Sequence, residues 1–99
     1  MIRILPAALE EVREAVAYYN RERPGLGEDF REVDSTRDRI ERSPQLWPPV
    51  SKRARMCRTK RFPYLVIYVR LETEIVVVAV MHGSRRPGYW KDRLKDLGS

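Results

Sequence analysis

Ninety-nine residues, 42% of them hydrophobic, suffice for one domain and one core, since a chain of this size buries ~60–70% of the surface it exposes unfolded; residues 1–99 are therefore read as a single domain. No apolar run approaches the ~20 residues that span a bilayer, and Met1-Ile2-Arg3-Ile4-Leu5 is too short for a signal-peptide core, so neither a membrane role nor export is expected. Twenty lysines and arginines against fourteen acids leave a formal charge of +6, which attracts polyanions or an acidic protein partner, and the single cysteine, Cys57, agrees with a reducing cytoplasm.

In chain order, Ile2–Leu5 is a short β candidate that needs a neighbour in a larger sheet. Pro6 suits the first turn of a helix. Behind it Leu9, Val12, Val16 and Tyr19 recur at three and four residues, with Ala8 and Ala15 beside them, while Glu10, Glu11, Arg13 and Glu14 point largely away. This helix stops near Arg23-Pro24-Gly25, because proline cannot continue it and glycine tolerates the turn. A second helix begins after Gly27 and ends before Ser43-Pro44, with Phe30, Val33 and Ile40 on one stripe and Arg37 off pattern. The short break between them predicts an antiparallel helical hairpin laid on a sheet.

Leu46-Trp47-Pro48-Pro49 reads as a connector whose Trp47 packs at the core edge. The ten residues from Lys52 to Arg61 then carry six cations: Lys52, Arg53, Arg55, Arg58, Lys60 and Arg61. Such a run is either a solvated edge strand, on which basic side chains discourage aggregation, or a phosphate-tracking surface that converges with the arginines further on. Tyr64–Arg70 and Ile75–Met81 are aromatic, β-branched or leucine-rich, and the short polar Leu71-Glu72-Thr73-Glu74 between them predicts an antiparallel hairpin. Continuous apolar character from Ile75 to Val80 places that strand centrally, covered on both faces. After Trp90 the chain is charged and brief, a frayed helical turn. The expected architecture is α+β: a small antiparallel sheet carrying an N-terminal helical hairpin, in the order β-α-α-β-β-β.

The segment His82-Gly83-Ser84-Arg85-Arg86-Pro87 leaves the end of the central strand, where a rigid scaffold presents its loop. His82 is the only histidine; with an ordinary pKa near about 6.5 it can serve as a hydrogen-bonding structural residue or as an acid or base. Alone it cannot anchor a metal site, and no cofactor motif is present. Cys57 reads as a small packing residue. Tyr18 and Tyr19 lie at helical spacing with core residues, so at least one packs. Tyr89 and Trp90 adjoin the basic run, placed either to stack on a base, to fill a partner's pocket, or to pack against the first helix.

The ordered set Tyr18-Tyr19, Gly25-Leu26-Gly27, Trp47-Pro48, Phe62-Pro63-Tyr64 with Tyr68, and Ala79-Val80-Met81-His82-Gly83 followed by Arg85, Arg86 and Pro87 resembles the RelE/ParE superfamily of bacterial type II toxin–antitoxin toxins. The likeness covers nearly the whole chain. It implies a growth-arresting α+β domain held by a cognate antitoxin, whose acidic, partly disordered tail folds on binding to form a hetero-oligomer. Two targets occur in that superfamily. RelE-like members cut mRNA on the ribosome; ParE-like members poison DNA gyrase. Under the first, Arg85 or Arg86 with Tyr89 resemble the strand-end arginine and C-terminal tyrosine of the ribonucleases, with His82, Lys52 or Lys60 as a base, but the upstream lysine pair has no clean counterpart. Under the second, Lys52, Arg53, Arg55, Arg58, Lys60, Arg61 and Trp90 form a target- or nucleic-acid-binding surface. The phenylalanine-proline-tyrosine and histidine-glycine patterns resemble the ParE-like subgroup more closely, which implies a non-catalytic gyrase inhibitor. A basic nucleic-acid-binding domain without toxicity is the alternative of another class, since fold does not settle function.

Overall fold

The two runs of β-formers in the second half of the chain pair as expected, and the rest of the molecule is laid over them. The computed structural model describes residues 1–29 and 32–97, the side chains of Asp29, Glu32 and Asp96 excepted. Strand β1 (Ile2–Ile4) leads into α1 (Pro6–Glu22), a short α2 (Leu26–Asp29) and α3 (Glu32–Arg42), followed by β2 (Ala54–Arg58), β3 (Tyr64–Arg70), β4 (Ile75–His82) and a 3-10 segment, Lys91–Leu97. The strands lie in the order β1-β4-β3-β2. β2, β3 and β4 are mutually antiparallel, whereas β1 joins the outer side of β4 in parallel, Ile2 facing Ile75 and Ile4 facing Val77. A parallel neighbour needs a long crossover, and here the return runs through the helices, β2 and β3.

The continuous apolar run of β4 is buried from Ile75 to Met81 because both faces are covered. The helices cover one face, where Val66, Tyr68, Ile75, Val77 and Val80 meet Ala8, Ala15 and Ile40. Trp90, Leu94 and Leu97 cover the other, against Ile67, Val69, Val76 and Val78. In a 3-10 turn residues three apart eclipse one another, so Leu94 and Leu97 present one apolar edge. That edge makes the C-terminal segment part of the core rather than the frayed turn expected of it.

The stripe on α1 is rotated from the expected one. Its centre is Ala8, Glu11 and Ala15, flanked by half-buried Val12, Val16 and Tyr19, while Leu9 is 38% exposed. Alanines let the helix approach the sheet closely. On α3 the buried positions are Thr36 and Ile40, with Val33 and Arg37 half-buried; Phe30 lies outside the described residues. The second helix, expected to begin after Gly27, is preceded by α2, which meets α1 at Gly27 itself; the Gly27 N–H donates to Asn20 Oδ1 at 2.8 Å. A Cβ there would come within 2.6 Å of both Asn20 and the Val16 carbonyl, so glycine is needed for that approach.

One irregularity sets where the end of β4 points. Ile67 pairs with Ala79 and Tyr68 with Val77, leaving Val78 as an extra residue, a β-bulge. Alternation therefore shifts by one. Val78 and Ala79 both belong to the second face, and Val80 returns to the helix side.

Candidate functional site

The end of β4 carries His82 and runs into the loop Gly83–Tyr89. Val78 and Val80 lie past the end of β1, whose pairing stops at Ile4 opposite Val77, so edge groups of β4 need other partners. They find them in two charged side chains. Glu11 Oε1 accepts the Val80 N–H at 3.0 Å, and Arg93 Nη1 donates to the Val78 carbonyl at 2.8 Å. The two side chains also meet each other, Arg93 Nη1 to Glu11 Oε1 at 3.0 Å and Nη2 to Oε2 at 3.2 Å. The Tyr89 hydroxyl donates to Glu11 Oε2. Glu11 is only 9% exposed; it is a buried carboxylate with its charge matched and its lone pairs filled.

This corrects the expectation that Glu11 points away from the core. The physical reason lies far along the chain, in the unpaired edge of β4 and the cations of the C-terminal segment. One signal for it was present in the sequence: Glu11 stands between Ala8 and Ala15, one turn from each, in the middle of the small-residue stripe.

Tyr89 is the second anchor. Gly88 takes φ +78°, a backbone state that suits glycine, and turns the chain so that Tyr89 reaches α1. The Arg85 guanidinium sits 4.0 Å from the centroid of the Tyr89 ring, and that of Arg93 sits 5.2 Å from it, both within cation–π range. Arg85 also approaches Glu11 Oε2 at 3.9 Å while staying 53% exposed. Burial, reinforced by the hydrogen bond to Glu11 and its charge, raises the Tyr89 phenol well above the ordinary tyrosine value, with Arg85 and Arg93 opposing.

His82 is half-buried and edge-on to Tyr64, ring centroids 5.3 Å apart. Its Nδ1 accepts the Ser84 N–H at 3.0 Å and lies 2.7 Å from Ser84 Oγ. A nitrogen that accepts from a backbone N–H carries no proton, so the ring proton sits on Nε2. On the helix side a shallow cleft runs along Glu14, Tyr18, Tyr64, His82 and Arg85. Tyr19 packs on Phe62 and Tyr64, centroids 4.6 and 6.3 Å apart, and Tyr18 is 48% exposed. One of the two tyrosines thus packs and the other faces solvent.

Arg86 is exposed and has no hydrogen bond or ion pair among the described residues. The basic run reaches this end of the molecule only in part. Arg58 pairs opposite Leu65, which faces Met81, so Arg58, Lys60 and Arg61 lie at the His82 end of the sheet; Lys52, Arg53 and Arg55 lie at the other. Arg55 donates to the Trp47 carbonyl at 2.6 Å, and Arg53 to the Leu94 carbonyl at 3.2 Å. The expected convergence of the whole run with Arg85 and Arg86 is therefore replaced by a partial one. Trp90, expected to offer a stacking ring, is 3% exposed and belongs to the core of the second face. Cys57 is buried as expected, and burial pushes its thiol up.

The second face carries a pocket beside the same loop. Its floor is Met56, Leu65, Ile67, Met81 and the ring of Trp90, and Arg85 and Lys91 stand at its rim. Arg85 lines both this pocket and the cleft on the helix side. Sequence reasoning reached Arg85 but not the pocket, because its floor is assembled from three strands. Among the described residues no group of acids, histidine and cysteine could hold a metal ion, and no helix is long and apolar enough to cross a membrane.

Comparison with known proteins gives a consistent result. The family described as the ParE toxin of the type II toxin-antitoxin system, parDE, matches residues 2–87. No curated protein sequence matches the chain. Nine chains of solved structures do. One, from the chromosomal ParDE TA system of P. aeruginosa, has a TM-score of 0.63 at 11% identity, covering 82% of this chain and 92% of that one. At that identity the likeness is one of fold.

Proposed function

The chain belongs to the ParE toxin family of type II toxin–antitoxin systems, and from that premise we propose that it arrests growth by binding and inhibiting DNA gyrase, without cutting RNA. Cleavage of RNA needs a base for the 2′-OH and a proton donor for the leaving oxygen. The observation that supports a non-catalytic toxin is that Tyr89 and His82, the two candidates at the end of β4 and on its loop, are engaged internally. The Tyr89 proton is directed to Glu11, and His82 Nδ1 already accepts the Ser84 N–H, so that nitrogen is not free to take a proton from a 2′-OH. The floor of the adjoining pocket is apolar, a surface for protein side chains rather than for a phosphodiester. Arg85 and Arg86, exposed on a loop pinned through Tyr89 and Arg93, are the target-contact residues in this reading, with Arg58, Lys60 and Arg61 flanking them.

As a toxin of such a system the chain has an antitoxin as its partner. Its surplus of six positive charges favours an acidic antitoxin tail that folds on binding and reaches Arg86. The test sets a gyrase supercoiling assay beside primer extension on mRNA from a purified translation reaction. Wild-type protein is expected to inhibit supercoiling, Arg85→Ala/Arg86→Ala to inhibit it at least tenfold less well, and the mRNA to stay intact. Ribosome-dependent mRNA ends that vanish in the double variant would overturn the proposal in favour of a ribonuclease.

A further inference from the structure

The pocket on the second face adjoins the candidate target-contact loop and shares Arg85 with it. Its volume is about 270 Å³, at the lower end of ligand-pocket sizes. It suits one large side chain. Its floor is apolar, and two of the floor residues, Met56 and Met81, are thioethers that adapt to the shape of an occupant. The charged residues that line it are Arg85 and Lys91, with no carboxylate among them. An apolar floor under a cationic rim matches an apolar anchor residue flanked by acids. Such anchors, seated in desolvated pockets near the centre of an interface, carry a large share of binding energy.

We propose that this pocket seats an anchor side chain of the antitoxin, a leucine, methionine or phenylalanine within an acidic segment, with carboxylates on either side meeting Arg85 and Lys91. The proposal rests on the toxin–antitoxin assignment and is independent of gyrase as the target. It has a consequence for neutralisation. Arg85 lines both the pocket and the cleft across the sheet end, so an antitoxin anchored there covers Arg85 directly.

Trp90 supplies the readout. With Trp47→Phe as background it is the only remaining tryptophan of two, and it forms part of the floor. Titration with the antitoxin encoded beside the toxin gene is expected to change Trp90 emission, saturating in step with binding measured by calorimetry. Met56→Glu, which places a carboxylate in the floor, is expected to weaken binding about thirtyfold, or ~2 kcal/mol at 1.4 kcal/mol per tenfold. Lys91→Glu, on an exposed side chain, is expected to weaken it about tenfold. The proposal is overturned if the antitoxin saturates the protein without changing Trp90 emission, or if Lys91→Glu binds within twofold of wild type. Should Met56→Glu fail to fold, those two results decide alone. Gyrase takes no part in these titrations, so a failure of the target assignment leaves their outcome untouched.

Discussion

Glu11 shows how one side chain can connect parts of a chain that are far apart in sequence. It closes the edge of β4 at Val80, accepts from Tyr89 and pairs with Arg93, so Glu11→Gln puts an amide donor among groups that are themselves donors. Breaking a buried pair from one side costs ~3–5 kcal/mol. Urea unfolding should show that loss, and amide exchange should rise through residues 83–97 before it rises in β3. Glu11→Met combined with Arg93→Met should lose less than the sum of the single changes, since no uncompensated charge stays buried; strict additivity would mean the two side chains act independently. The tyrosines make a second prediction. Burial raises the phenols of Tyr64 and Tyr68 to about 12, and Tyr89 is shifted in the same direction. A phenol whose folded pKa lies above its unfolded value of about 10 favours folding below that pH, and its contribution is lost as the pH rises through the folded pKa. Stability should therefore hold to about pH 10 and fall from there to about 12. Tyr68→Phe, which removes the hydrogen bond to the Pro44 carbonyl, should flatten part of that slope. Full phenolate absorbance near pH 10 with native circular dichroism would contradict it.

Among the elements, the 3-10 segment Lys91–Leu97 is the one whose weight its sequence understates. Read along the chain it is mostly charge. Folded, its leucines and the preceding Trp90 cover Ile67, Val69, Val76 and Val78. A chain stopped after Gly88 should expose that face, bind a dye specific for apolar surface and lose at least the ~3–5 kcal/mol typical of removing one buried tryptophan. A truncated chain that melts with the wild-type midpoint and binds no dye would show that the sheet does not need this cover. Elements that announced themselves did so through period and punctuation. β3 begins and ends at Tyr64 and Arg70 as expected, β4 begins at Ile75 and extends one residue further than expected, to His82, and α1 begins at Pro6. The bulge at Val78 left no such mark, because a run of valines reads the same in either register.

For the whole molecule, the surplus of six positive charges should act on rates more than on contacts. Association with an acidic antitoxin is expected to slow at least tenfold as salt rises from about 50 to 500 mM, because the screening length falls from above 10 Å toward 4 Å. Dissociation should change much less. Stopped-flow mixing separates the two, and an association rate indifferent to salt would remove electrostatic steering from the encounter. The charges are not spread evenly. Arg58, Lys60 and Arg61 share the sheet end with Arg85 and Arg86, while Lys52, Arg53 and Arg55 lie at the other end beside the C-terminal segment.

Local chemistry, readable one stretch at a time, determined the strands of the hairpin, the first helix, the central place of β4 and the resemblance to the toxin superfamily, because periodicity, proline and glycine act over a few residues. It also reached Arg85, Arg86, His82 and Tyr89 as the chemically loaded positions. Only the tertiary structure decided what those residues do to one another. Which face Val80 turns to depends on one inserted residue at Val78, and whether Tyr89 is free depends on Glu11, 78 positions earlier in the chain. Whether Trp90 meets solvent depends on a sheet face built by three separate strands. These are long-range pairings, and a linear pattern carries no record of which distant group fills a given hydrogen bond or covers a given side chain.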